Sequence, residues 1–325
     1  MLDVMEIQAS RWVIFILGIL FLLALDLGVF HRKERVETFK GALAWTAVWF
    51  ALAMGFAGFI DGWLGREEAT EFVAGYIIEL SLSMDNVFVI ALIFTYFRVP
   101  DQYQHRVLFW GIMGALVMRG VMIGFGALLV EQFAWVLYLF GAFLLITGIK
   151  MSFSEEDGVH PEKNPVIKLA KKIFPVTAVL DGQKFFTREN GKRALTPLAI
   201  VLIMVETTDL IFALDSIPAI FAITTKPFIV FTSNVFAILG LRSLYFVLAH
   251  AIRYFHYLKY GLSIVLVFVG MKMLINPHDP DNKQWFQKEI PTDISLLIVV
   301  VIIATAILTS IIFARREAKE KPPAT

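Results

Sequence analysis

Leu195-Thr-Pro-Leu-Ala-Ile-Val-Leu-Ile-Met-Val-Glu206-Thr-Thr-Asp209-Leu-Ile-Phe-Ala-Leu-Asp215-Ser216-Ile-Pro218-Ala-Ile-Phe-Ala-Ile223 is apolar for longer than the ~20 residues a helix needs to cross a bilayer, yet it carries three carboxylates. An ionisable side chain near the middle of such a helix costs about 2.5–3.5 kcal/mol on insertion scales, so these groups need partners or a polar cavity. Comparable apolar runs lie at 12–30, 41–60, 72–97, 107–130, 132–150, 227–249, 258–275 and 294–314, with this one at 195–223. The composition agrees. Of 325 residues 58% are hydrophobic and 18% charged, against roughly 25% charge in a soluble chain. The expected fold is all-α, a polytopic membrane protein of about nine transmembrane helices. The absence of Cys excludes disulfides, zinc–thiolate sites, iron–sulfur clusters and thiol nucleophiles. A net charge of +1 speaks against nucleic acid as a partner.

The first run is preceded by an acidic segment, Met1-Leu-Asp-Val-Met-Glu6, and followed by basic residues, so it reads as an uncleaved helix and not a signal peptide. Lys and Arg collect in 31–35, 98–106, 151–194, 250–257 and the C-terminal tail, while 61–71 and 276–293 lean acidic. The excess of Lys and Arg on cytoplasmic loops then predicts the N-terminus outside and the C-terminus in the cytoplasm.

The sequence also resembles itself. Glu79-x5-Asp85-Asn86 matches Asp209-x5-Asp215-Ser216, Pro100 matches Pro227, Arg119 matches Arg242, and Gly148-Ile-Lys150-Met151 matches Gly270-Met-Lys272-Met273. Each copy holds three spans, so the second enters the membrane from the opposite face, as in the inverted repeats of many secondary transporters. The expected organisation is two N-terminal helices (1–71), repeat one (72–151), a polar cytoplasmic linker (152–194) read as a solvated connector, inverted repeat two (195–275), and a last helix with a cytoplasmic tail (276–325).

Within the spans stand Asp26, Glu79, Asp85, Glu206, Asp209 and Asp215, against Arg119 and Arg242. Several acids in one cavity cannot all ionise unless a cation joins them, which points to a cation site that also handles protons. Asp215 lies six residues beyond Asp209 and would face about 120° away in an unbroken helix; a break at Pro218 is expected to bring them together. Carboxylate, amide, hydroxyl and carbonyl oxygens suit Mg, Ca or Mn more than Zn or Cu. The six His fall in loops or near span ends, and Met84 and Met204 offer soft sulfur near the acids, although Met in an apolar helix is ordinarily packing. Arg119 and Arg242 are expected to hold acids in place as ion pairs. Lys150 and Lys272 are expected to snorkel from span ends as anchors.

The segments Glu79-Leu-Ser-Leu-Ser-Met-Asp85-Asn86 and Glu206-Thr-Thr-Asp209 through Asp215-Ser216-Ile-Pro218 resemble the two signature helices of the TerC family of bacterial integral membrane proteins. The run Thr232-Ser-Asn234 through Gly240-Leu-Arg242-Ser-Leu-Tyr245 is similar to that family's next helix. The resemblance implies the lysine-exporter superfamily, with members linked to manganese efflux and others to tellurite resistance, and a multi-pass location in the bacterial inner membrane. It carries the metal-binding role onto Glu79, Asp85, Asn86, Glu206, Asp209, Asp215 and Ser216. A tellurite carrier would present fixed positive charge at its centre, and this chain presents mainly acids. The expected function is export of a divalent cation, Mn2+ favoured, with proton antiport; the partners are then the bilayer, the metal ion and protons, with no cofactor. A stress-resistance scaffold in which acids and arginines merely hold helices together is the alternative. No His-Glu-x-x-His, Gly-x-Ser-x-Gly or intramembrane aspartyl-protease pairing occurs, so no enzyme is expected.

Overall fold

The computed structural model describes residues 9–25, 38–153, 161–177, 179–189, 191–251, 258–276 and 287–320. Asp26, the basic cluster at 31–35, Arg253, Asp279, Asp281 and Lys321 lie outside the described residues, as do His31, His160, His256 and His278. The helices are α1 (Ala9–Leu25), α2 (Phe39–Trp63), α3 (Arg66–Tyr96), α4 (Asp101–Gln132), α5 (Val136–Phe153), α6 (Pro165–Ile173), α7 (Pro197–Phe221), α8 (Pro227–Leu239), α9 (Leu241–Ala251), α10 (Leu258–Ile275) and α11 (Thr292–Glu320). The protein is an all-α polytopic membrane protein. Among the described residues α2, α3, α4, α5, α7 and the Thr292–Phe313 part of α11 are each long and apolar enough to cross a bilayer. The pair α8 and α9, bent by 43° at Gly240, is apolar enough to form either a broken seventh span or a re-entrant loop, and the apolar stretch of α1, Arg11–Leu23, is shorter.

Local chemistry starts these helices. Pro165, Pro197 and Pro227 open α6, α7 and α8, where the missing amide hydrogen has no intrahelical partner to lose. Thr38, Asn164 and Thr196 cap α2, α6 and α7 with their side-chain oxygens. Gly65 takes φ +123° in the tight turn from α2 to α3, a conformation closed to residues with a Cβ.

The bundle is apolar on its outer surface as well as in its core. α8 is buried almost throughout, from Phe228 to Leu239, and stands against α3. Val117, Val121, Phe125 and Leu128 of α4 and Leu297, Val301, Leu308 and Ile312 of α11 form exposed apolar stripes suited to lipid. α5 and α10 meet backbone to backbone. A Cβ on Gly148 would come within 2.9 Å of the Ser263 carbonyl, and one on Gly270 within 2.8 Å of the Gly141 carbonyl. Small residues permit such close helix approach in membranes.

Two expectations need correction. α7 runs unbroken through Pro218 to Phe221, because the missing bond falls in its last turn, where Ile217 to Phe221 are all buried and hold the helix. The segment 152–194 is not an open connector. It contains a 3-10 turn at Pro161–Lys163, α6, and a hairpin of β1 (Phe186–Glu189) and β2 (Lys192–Leu195). Ile167 and Leu195 form a small apolar core with Ala199 and Ile200 of α7, and that burial orders a stretch whose composition suggests solvation.

Candidate functional site

Three helices, α3, α7 and α8, place polar residues around a guanidinium carried by α4. Arg119, in the middle of α4, is 2% exposed. Its Nη1 donates to the Glu79 carboxylate, to Ser216 Oγ at 3.2 Å and to Asn234 Oδ1 at 2.9 Å. Its Nη2 and Nε donate to the two oxygens of Asp209 at 3.1 and 3.4 Å, a bidentate fork. Glu79, fully buried, also accepts from Asn234 Nδ2 at 3.1 Å and from Ser83 Oγ at 3.3 Å. Asn86 Nδ2 reaches Asp209 Oδ1 at 3.4 Å. The other amide atom, Asn86 Oδ1, is buried and has no hydrogen-bond partner among the described residues.

Helical spacing explains the convergence. Glu79, Ser83 and Asn86 recur at four and three residues on one face of α3, and Asp209 and Ser216 lie two turns apart on α7. Burying two carboxylates with one guanidinium carries a desolvation cost that good geometry and further hydrogen bonds must offset, and Ser83, Asn86, Ser216 and Asn234 supply those bonds.

Of the residues singled out in the sequence, Glu79, Asn86, Asp209, Ser216 and Arg119 are thus brought together. Glu206 is half-buried, within electrostatic reach of Asp209, and its carboxylate occupies the space that a side chain on Gly114 of α4 would take. Asp215, also half-buried, accepts a hydrogen bond from Thr147 of α5, on a different side of α7 from Asp209. Asp85 is half-buried on α3. Arg242 donates from Nη2 to His105 Nδ1 at 3.0 Å, about 21 Å along α4 from Arg119, so the two arginines do not share one set of acids. Met204 receives a contact from Asn164 Nδ2 at 3.5 Å, which fits packing and not ion ligation. Lys150 is exposed, as an anchor should be, but Lys272 is 2% exposed and within electrostatic reach of Glu71. Packing of α10 against α5 keeps it from the interface. Among the described residues no three of His, Asp and Glu are arranged to hold a metal ion; Glu79 and Asp209 hold Arg119.

A second cluster, outside the acid motifs of the sequence, lies at the start of α3. Lys226, in the loop between α7 and α8, stands 2.9 Å from Glu68 and 3.1 Å from Glu71, and Thr224 Oγ1 donates to Glu71 at 2.9 Å. Burial alone would lower the Lys226 pKa, but bonding and charge from Glu68 and Glu71 outweigh it and hold the ammonium above its ordinary 10.5. A signal was present: Glu71 sits two turns before Glu79 on the same face. Asn234 could likewise have been found in the polar run Thr232-Ser-Asn234.

Residues 64–318 match the family described as Integral membrane protein TerC family. An uncharacterized membrane protein of Myxococcus xanthus, STKORF319, is 49% identical over 94% of this chain and 92% of its own length. An uncharacterized membrane protein of Rickettsia felis is 40% identical over 93% and 97%. The putative membrane-bound redox modulator Alx of Escherichia coli K12 is 47% identical over 81% and 85%. No solved structure matches the chain.

Proposed function

The chain belongs to the TerC family of integral membrane proteins, and from that premise and its buried charge cluster we propose a secondary transporter that exports a divalent metal cation, Mn2+ favoured, in exchange for protons. The observation that carries the reading is the set of oxygens around Arg119. Two carboxylates, two hydroxyls and an amide oxygen without a partner among the described residues, Asn86 Oδ1, converge in the interior of a helix bundle. Such donors suit a hard divalent cation.

Arg119 is then a resident cation. A metal ion that binds Glu79 and Asp209 displaces the guanidinium, and the exchange keeps the interior from holding uncompensated negative charge. Glu206 stands within electrostatic reach of Asp209, and Asp215 on another side of α7 and Asp85 on α3 are further half-buried carboxylates able to take protons on the return step. Alternating access uses the two halves α3–α5 and α7–α10. The packing supports an inverted repeat: α3 lies against α8 as α7 lies against α4. The pair Gly148 and Ser263 maps onto Gly270 and Gly141 when positions are exchanged by the same offset in sequence. The reading places the protein in the bacterial inner membrane with the C-terminus in the cytoplasm.

Inside-out vesicles containing the protein should take up Mn2+ with proton movement in the opposite direction, and Asp209→Asn, Asp85→Asn or Asp215→Asn should abolish uptake at normal protein level. Wild-type rates in all three would sink the site; uptake without proton movement would remove antiport alone. A scaffold role is the second reading, favoured by the near-saturation of Glu79 and Asp209 by Arg119. It requires that the same variants lose abundance while any protein that remains leaves metal handling unchanged. The redox role in the name of the Escherichia coli relative, applied here, would have to proceed without a thiol of this chain, which contains no Cys.

A further inference from the structure

The folded linker carries two features that the transport reading does not use. On α6, Val166, Leu169 and Ile173 are exposed and share one stripe, while Lys168, Lys171 and Lys172 occupy the opposite side. Ile167, between them, packs into α7 beside Ala199 and Ile200, and Asn164, at the start of α6, touches Met204. Met204 lies about 10 Å along α7 from its first residue, so α6 is held beside the N-terminal end of a helix long and apolar enough to cross a bilayer.

The second feature adjoins the first. A cavity of about 740 Å³ is lined by Phe174, at the end of α6, with Asp181, Lys184, Phe186, Thr187, Arg188 and Arg193. Arg188 and Arg193 are direct cross-strand partners in the hairpin, and like charges placed opposite one another destabilise a strand pair. Among the described residues neither makes an ion pair. The single acid of the cavity, Asp181, is engaged: Thr187 Oγ1 donates to it at 2.7 Å and Lys184 Nζ at 3.2 Å, and these bonds lower its pKa. The exposed ring of Phe186 stands edge-on to Phe174 and joins the cavity to α6.

We propose that this surface is a binding site for an anionic phospholipid of the adjacent leaflet, with the headgroup phosphate between Arg188 and Arg193 and the acyl chains along Phe186, Ile173, Leu169 and Val166. Phosphate is the shared chemistry of a lipid headgroup and a free anion. The exposed apolar stripe of α6 and its place beside the end of the apolar helix α7 assign the lipid. Arginine forks suit phosphate oxygens, and the lysines of α6 reach the surrounding headgroups.

The test is thermal melting of the purified full-length protein titrated with phosphatidylglycerol, with phosphatidylcholine of the same acyl chains, and with inorganic phosphate. Phosphatidylglycerol should raise the melting temperature saturably and phosphatidylcholine should not. Arg188→Gln with Arg193→Gln should raise the half-saturating lipid concentration about thirtyfold, at roughly 1 kcal/mol for each basic residue at an anionic surface, while Arg188→Lys with Arg193→Lys keeps most of the response. Leu169→Ser with Ile173→Ser, which leaves the hairpin intact, should also weaken it. Equal responses to both lipids, an unchanged response in the arginine or the stripe variant, or a phosphate response matching that of phosphatidylglycerol would each overturn the proposal.

Discussion

Arg119 makes the difference between a polar core and an unstable one. Removing it leaves Glu79 and Asp209 buried together without a counter-charge, so Arg119→Met should cost about 3–5 kcal/mol, read as a lower melting midpoint in detergent. Adding Glu79→Gln and Asp209→Asn to that variant should restore most of the stability while leaving transport abolished, which separates the fold's need for charge balance from the site's need for carboxylates. Gly114 offers a second residue-scale check. A Cβ there collides with the Glu206 carboxylate, so Gly114→Ala should displace that acid and slow metal uptake with little change in protein abundance. Identities at these positions were legible as acids and small residues in apolar runs. That one arginine clasps acids from both halves was not, because the choice depends on how deep each helix sits. Lys272 shows the same limit: its place near a helix end suggests an exposed anchor, and only the packing of α10 buries it.

Helix contacts set the next level. α5 and α10 approach through Gly141, Gly148 and Gly270, and a methyl group at Gly270 would meet the Leu145 amide nitrogen at 2.7 Å. Gly270→Ala should therefore push the helices apart at a cost of about 1–3 kcal/mol, measured by the same melts. The contact at the start of α3 responds to pH. Because the Lys226 pKa is raised in the folded state, its ion pairs contribute fully below 10.5 and are lost as pH climbs through the higher folded value. Lys226→Met should lower stability by about 1–2 kcal/mol at pH 8 and flatten the alkaline decline of the wild type. Helix positions were readable from apolar length, and the kink at Gly240 and the continuous path through Pro218 were not. Whether a proline breaks a helix is decided by the turn it occupies and by what packs around it.

At the scale of the molecule, alternating access requires the two halves to move relative to one another. The Glu71 to Thr224 contact joins α3 of one half to the loop after α7 of the other. In this chain without Cys, Glu71→Cys and Thr224→Cys joined as a disulfide by mild oxidation should arrest metal uptake until reduced, and full uptake by quantitatively oxidised protein would exclude motion at that point. Composition alone determined the solvent of this protein: too little charge and too much apolar surface for water. Spacing on single helices determined which polar residues share a face, since 3.6 residues per turn is a local property. The partners of those faces were decided by tertiary structure. Which arginine neutralises which acids, which lysine is buried, and that a polar linker folds onto α7 all depend on helix depth and rotation, set by close contacts between residues distant in sequence.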